Sequence, residues 1–429
     1  MFQGLAQSEL RALGVSGLPM VTIEHPLGGE RSEGVTRRAR QAVDQIARLL
    51  SGAQVVAKGE SGRAEPASSS VRPPSIQTGL TDPATIIPAT TTPDFITVTD
   101  SPEALLAAFC ERQWCDGLPI VPPTEDRVRA MLAGADRDRP LGVMPPLWRV
   151  ATLEKLAVNA VMAGCEPAAF PLIVAAVEAM LDPSFNLYGV QATTHSVAPL
   201  LIVHGPIAAE LGVHSGSGCF GPGFRANATI GRAIRLILLN VGGAWPGRHD
   251  MATQGSPAKF SYCIAERADS PWGPLHEDNV VTVFGGEPPH NVNDHVSTTA
   301  GGILATVADT AVSLGSNVGW YFSQSQLLIV LGPEHARTIA DDGLSRADIQ
   351  RFVFEHARLP LRTLKLGGMW GIHDWPRWMH AVTDDEALLP QMPSPEDVMV
   401  IVAGGPGKHS SVVPNCTFSR AVSRPVQPL

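Results

Sequence analysis

An apolar strand running straight into Gly-Pro occurs three times in this chain. It stands as LLIVHGP at 200–206, as LLIVLGP at 327–333 and, with a longer glycine turn, as VMVIVAGGPG at 398–407. A strand without polar alternation has to be covered on both faces, since a solvated face would show a polar residue at every second position. Segments of helical period alternate with these strands over 152–163, 168–181, 224–241, 298–314 and 345–357. Ser345, followed three residues later by Asp348, predicts a capping-box start for the last of them. The expected fold class is α/β, a mixed or mostly parallel sheet with helices on both faces, and the recurring strand points to two related halves.

Ahead of this region the texture changes twice. Residues 1–51 read as a helix end stopped by Gly14, a strand in LPMVTIEHP and an amphipathic helix in EGVTRRARQAVDQIARLL. One strand and two helices cannot enclose a core, so this segment reads as the remnant of a small α/β domain whose beginning is missing. Residues 52–95 are rich in Ser, Ala, Pro and Thr and read as a flexible linker. The main domain is expected over 96–429, with room for two subdomains.

Composition narrows the class. Of 429 residues 44 % are hydrophobic and only 17 % charged, which fits a globular chain that buries surface in a homo-oligomer. A net charge of −9 argues against a nucleic-acid partner. No run of about eighteen apolar residues predicts a membrane span, and the first residues lack the pattern of an export signal. The six cysteines are too sparse for a disulfide scaffold, which predicts reduced thiols and a cytoplasmic location. Cys110 and Cys115 have no second pair to complete a structural zinc site.

The strongest chemical signal is HSGSGCFGPGFRAN at 214–227. Its glycines strip side chains from around Cys219 just before a strong helix, whose free amides favour a thiolate. Arg225 sits in the first turn of that helix, against the macrodipole, and Arg232 lies two turns on, nearly on the same face. Cys219 is therefore the candidate nucleophile, His204 or His214 its base, and Arg225, Arg232, Gly221 and Gly223 the anion-binding shell. The alternative is a structural turn around a buried cysteine. GSGCFG also fits G-x-G-x-x-G, but no strand leads into it and no acidic residue follows at the required distance, which argues against a nucleotide cofactor.

Three other segments carry chemistry. RHDMATQGSPAKFSYC (248–263) concentrates polar groups on a connector, with His249 and Lys259 as candidate substrate contacts. PPHNVNDHVS supplies His290, Asp294 and His295, which could converge on a divalent Zn, Fe or Mn ion. GGPGKHSS (404–411) fails as a phosphate loop because Val402 and His409 replace required residues, though an anion nest of amides remains open. Asp116, in CDGLPIVPPTEDRV, reads as architecture.

LGVSGLPMVTIEHPLGG with its following helix resembles the C-terminal end of the UGSC-motif (seleno)protein family. WCDGLPIVPPT and GPGFRANATIGRAIRLILLNVGG resemble the larger partner protein associated with it. The resemblance implies a thiol or selenol centre, Sec/Cys-Gly-Ser-Cys, on the small domain. No such motif occurs in residues 1–51 here, so no catalytic residue carries over.

The leading expectation is an enzyme acting on a small anionic or carbonyl-containing metabolite through a cysteine-centred, nucleophilic or thiol-redox site. Two alternatives stand beside it. One is a metal-dependent hydrolase or lyase built on the His/Asp cluster; the other is a non-catalytic partner of a separate redox subunit.

Overall fold

The computed structural model describes residues 3–23, 32–50, 95–317, 325–367 and 377–429. The chain divides into two compact units, Leu10–Phe95 with Met1 and Ile96–Leu429 with Phe2–Glu9. Helix α1 (Gln3–Ala12) ends two residues before Gly14, and α2 (Ser32–Leu50) covers the amphipathic segment. The strand expected over 18–26 does not form in its described part, 18–23. A strand needs a neighbour to take its backbone hydrogen bonds, and among the described residues of this unit none is offered. Residues 24–26 lie outside the described residues, as does the expected linker apart from Phe95.

Eight of the described strands of the large unit form two four-stranded sheets, beside two short antiparallel pairs. The eight are β1 (Ala198–His204), β2 (Cys263–Ala265), β3 (Val280–Gly286), β4 (His290–Asn293), β5 (Leu327–Leu331), β6 (Val398–Val402), β7 (His409–Pro414) and β8 (Val422–Pro425). One sheet runs β8-β3-β1-β2 and the other β4-β7-β5-β6. In the first, β1 is parallel to β2 and antiparallel to β3, which is antiparallel to β8. In the second, β5 is parallel to β6 and antiparallel to β7, which is antiparallel to β4. The halves β1–β4 and β5–β8 thus repeat one pairing pattern, with their last strands exchanged: β4 completes the second sheet and β8 the first.

The recurring Gly-Pro has a steric cause. A Cβ on Gly205, after β1, would run into the Asp278 carbonyl, and one on Gly332, after β5, into the His409 carbonyl. Asp278 leads into β3 and His409 opens β7. Each glycine therefore lies where the antiparallel neighbour begins.

Alternation along β1 and β5 explains their lack of polar positions. Leu200 and Ile202 pack with Leu328 and Val330 in a core between the sheets. Leu201 and Val203 face outward, into a core shared with α3 (Pro102–Glu111), α4 (Glu125–Leu132), α5 (Leu153–Ala163), α6 (Phe170–Met180) and α7 (Arg225–Ile237). Leu327, Ile329 and Leu331 pack with α8 (Ala300–Ala311), α9 (Pro333–Asp341) and α10 (Arg346–His356). The predicted capping box of Ser345 and Asp348 starts α10. The class is α/β with mixed sheets, in four layers: helices, sheet, sheet, helices. The sequence suggested one sheet with helices on both faces; here each sheet has helices on one face and the other sheet on the second. Each fully buried Leu, Ile or Val contributes roughly 1.5–3 kcal/mol relative to exposure. Among the described residues no single helix is long and apolar enough to cross a membrane.

Candidate functional site

The turn around Cys219 does not display its thiol. Cys219 is 5 % exposed and belongs to the core between the sheets. Burial pushes its thiol up, against a smaller opposing pull from the backbone amides of Phe220 and Cys219. Arg225 is exposed and donates to Glu166 at 2.6 Å and to the Gly164 carbonyl at 3.2 Å. The charges of Arg225 and Arg232 bear on Cys165 instead, whose thiol burial nevertheless pushes up to about 12. His204 is fully buried, its Nδ1 donating to Glu266 at 2.7 Å while Nε2 meets the Thr282 hydroxyl at 3.0 Å. His214 stacks on Phe224 and its Nε2 donates to the Ser217 carbonyl at 3.1 Å. Neither imidazole serves Cys219, because each is engaged elsewhere. Gly221 lines a cleft of about 320 Å³ between this turn and the 403–411 segment. The amide of Gly221 donates to the Gly218 carbonyl at 2.7 Å, and Gly223 is a left-handed turn residue. In the glycine run across that cleft, the Gly407 amide donates to Glu334 at 2.7 Å, so a carboxylate of the chain itself holds that donor.

The expected metal triad also disperses. His290 is exposed on β4, and His295 places its Nε2 3.1 Å from that of His409. Asp294 accepts from the amides of Val296 and Ser297 and from the Thr306 hydroxyl. Burial raises its carboxyl, but these hydrogen bonds outweigh it and hold the group down at about 2. They leave its oxygens engaged as the anchor of a turn. Among the described residues no group of three His, Cys, Asp or Glu is placed to hold a metal ion.

Polar groups converge elsewhere, in a cavity of about 490 Å³ beside α7. Helix α7 approaches β2 closely because residue 231 is glycine; a Cβ there would strike Ser261 and the Tyr262 amide. The helix closes in a π turn over Leu238–Gly242, and the chain then folds back so that the amides of Arg248, His249 and Asp250 all donate to the Trp245 carbonyl. His249 is turned away from the cavity, its Nδ1 donating to the Gly243 carbonyl at 3.0 Å. Asp250 is 4 % exposed; it accepts from the Ala252 amide at 3.0 Å and from Lys259 Nζ at 2.5 Å. Thr253 is tied to the Thr194 carbonyl and Ser256 to that of Ser196, which holds the 250–259 loop against the start of β1.

Arg235 is the decisive residue. It stands one turn beyond Gly231, is 8 % exposed and lines the cavity. Among the described residues nothing accepts a hydrogen bond from its guanidinium, and Asp250 is the only acid whose charge supports it. Burial lowers the pKa of both Arg235 and Lys259, with Asp250 pulling the other way. Two cations thus share one carboxylate in a buried wall. Buried charges are normally paired and hydrogen-bonded, and among the described residues this wall carries one more cation than anions.

The same cavity is also lined by thiols. Cys110 lies in the last turn of α3, the chain reverses at Gln113 with φ 57°, and Cys115 comes back to leave the two Sγ atoms 3.4 Å apart. Arg232, expected to stand by Cys219, instead clamps this loop to α7, donating to both oxygens of Asp116 at 2.7 Å. Asn240 adds a bond to the Trp114 carbonyl at 2.8 Å. Cys110 is exposed and Cys115 buried, and burial raises the Cys115 thiol. Both line the cavity with Arg235, Asp250 and Lys259.

The N-terminal segment has a recognisable relative. Residues 1–52 match the UGSC family model. The UGSC segment contains no cysteine, so every thiol of the chain belongs to residues 110–416. No curated protein and no solved structure matches the chain.

Of the expected site residues the cavity holds Lys259. Sequence reasoning missed Arg235 and the Cys110–Cys115 pair. Arg235 left a trace: it interrupts the apolar run AIRLILL, where a surface position would not be flanked so closely by Ile and Leu.

Proposed function

We propose that this chain is a thiol-dependent enzyme acting on a small anionic or carbonyl-containing metabolite bound in the cavity beside α7. Arg235 and Lys259 hold the negative group, Asp250 keeps the pair from over-concentrating positive charge, and Leu239, Trp245 and Phe260 enclose the apolar body. Cys110 and Cys115 face the same space. The cysteine-centred reading thereby passes from Cys219 to this pair.

One observation carries the reading: an arginine nine-tenths buried, lining a cavity, with no acceptor for its guanidinium among the described residues. A carboxylate matches its fork bidentately. Calorimetric titration of the full chain with small mono- and dicarboxylates tests it. At least one should bind saturably and lose at least about tenfold in affinity in Arg235→Leu. Equal binding by the variant, or none by the native protein, overturns the assignment.

A further inference from the structure

We propose that the cavity takes low-molecular-weight disulfides bearing a carboxylate, and that Cys110 and Cys115 reduce them by thiol–disulfide exchange. The inference rests on the anion-binding reading above and names its substrate class and reaction.

Geometry assigns the two sulfurs different roles. Cys110 is exposed at the cavity wall, so a substrate sulfur can reach it. Cys115 is 4 % exposed, with its Sγ 3.4 Å from that of Cys110. A buried thiol in contact with an exposed one is shielded from bulk disulfide but meets the mixed disulfide formed on its neighbour. Four residues separate the cysteines in sequence, and the clamp of Arg232 on Asp116 fixes the returning strand of chain. The helix C-terminus beside Cys110 does not favour a thiolate; the cations lining the same cavity therefore act on the substrate carboxylate and bring its S–S bond to the pair.

The step balances. Cys110, deprotonated by solvent, attacks one sulfur of RS–SR; the Cys110–SR bond forms, the S–S bond breaks and RS⁻ leaves. Cys115 loses its proton and attacks the Cys110 sulfur, forming the Cys110–Cys115 disulfide and expelling the second RS⁻. The substrate gains two electrons and, from solvent, two protons; the protein dithiol is oxidised by the same two electrons. A dithiol reductant returns it to the starting state.

The test uses the full-length, pre-reduced protein and three probes: 3,3′-dithiodipropionate, neutral 2-hydroxyethyl disulfide and cationic cystamine. Peptide mapping should locate a Cys110–Cys115 disulfide. Its formation should be at least about tenfold faster with the dicarboxylate than with cystamine, and Arg235→Leu should bring that ratio near unity. Cys115→Ser should stop at a mixed disulfide on Cys110. Equal rates with all three probes, or mixed disulfides on other cysteines, overturn the inference. Suberate, the dicarboxylate with carbon in place of sulfur, separates the two claims. If it binds in an Arg235-dependent way while no Cys110–Cys115 disulfide forms, only the redox step falls. If it does not bind and the probes react indiscriminately, the anion-binding reading falls with it.

Discussion

Lys259 Nζ lies 2.5 Å from Oδ2 of Asp250, and the carboxylate side chain of that pair is 4 % exposed. This ion pair neutralises one buried cation of the cavity wall and leaves the other, Arg235, with charge support but, among the described residues, no hydrogen bond. Removing Arg235 or Asp250 should therefore have opposite consequences for stability.

Arg235→Leu should leave the unliganded protein as stable as the native chain or stabilise it by about 1–3 kcal/mol, because an unpaired buried guanidinium gives way to hydrocarbon. Urea unfolding without added anions reads this directly. A large loss of stability would mean that the arginine has a structural partner.

Asp250→Asn should destabilise by about 3–5 kcal/mol, since two buried cations then face each other without a counter-charge. Added carboxylate should recover part of the loss. Melting curves with and without ligand measure both effects.

Native-state alkylation should label Cys110 first. Cys115, Cys165, Cys219, Cys263 and Cys416 are all buried and should react only on unfolding. Mass spectrometry after a brief iodoacetamide pulse identifies the labelled peptide; early labelling of Cys219 would restore it as the reactive thiol.

Asp294 is held at about 2, below its ordinary value of 3.8. Its folded pKa is depressed, so its contribution, of about 2 kcal/mol, is present above pH 4 and is lost as the pH falls from about 4 to 2. Asp294→Asn should remove that segment of the acid-stability curve, as followed by denaturant midpoints across the range.

Gly332→Ala should cost about 3 kcal/mol through the clash with the His409 carbonyl. Gly301→Ala, where a Cβ has open space, is the matched control. Comparable losses from the two would refute the steric account of the Gly-Pro motif.

The strands β1, β5 and β6 and the helices that alternate with them were legible because fully apolar runs and helical periods are local signals. What covered each face was not. Leu200 and Leu201 are chemically alike, yet one meets a sheet and the other a helix layer. The same ambiguity misplaced the site. Around Cys219 the glycines suggested display, whereas the second sheet, distant in sequence, closes over the sulfur. Cys110 and Cys115 gave no pairing signal, because their contact depends on a left-handed Gln113 and on a clamp from Arg232 more than a hundred residues away. In sequence Arg225 and Arg232 read as part of an anion-binding shell, but a cation's role depends on the acid it finds, here Glu166 and Asp116.

The exchange of β4 and β8 between the halves bears on how the chain emerges from the ribosome. Until Val422–Pro425 is synthesised, β3 keeps a bare edge, although the other strands of its sheet were finished by residue 286. The earlier half must therefore wait, exposed and aggregation-prone, for almost the whole polypeptide. A cut anywhere between residues 294 and 326 would leave two fragments that can regain their full four-stranded sheets only by finding each other.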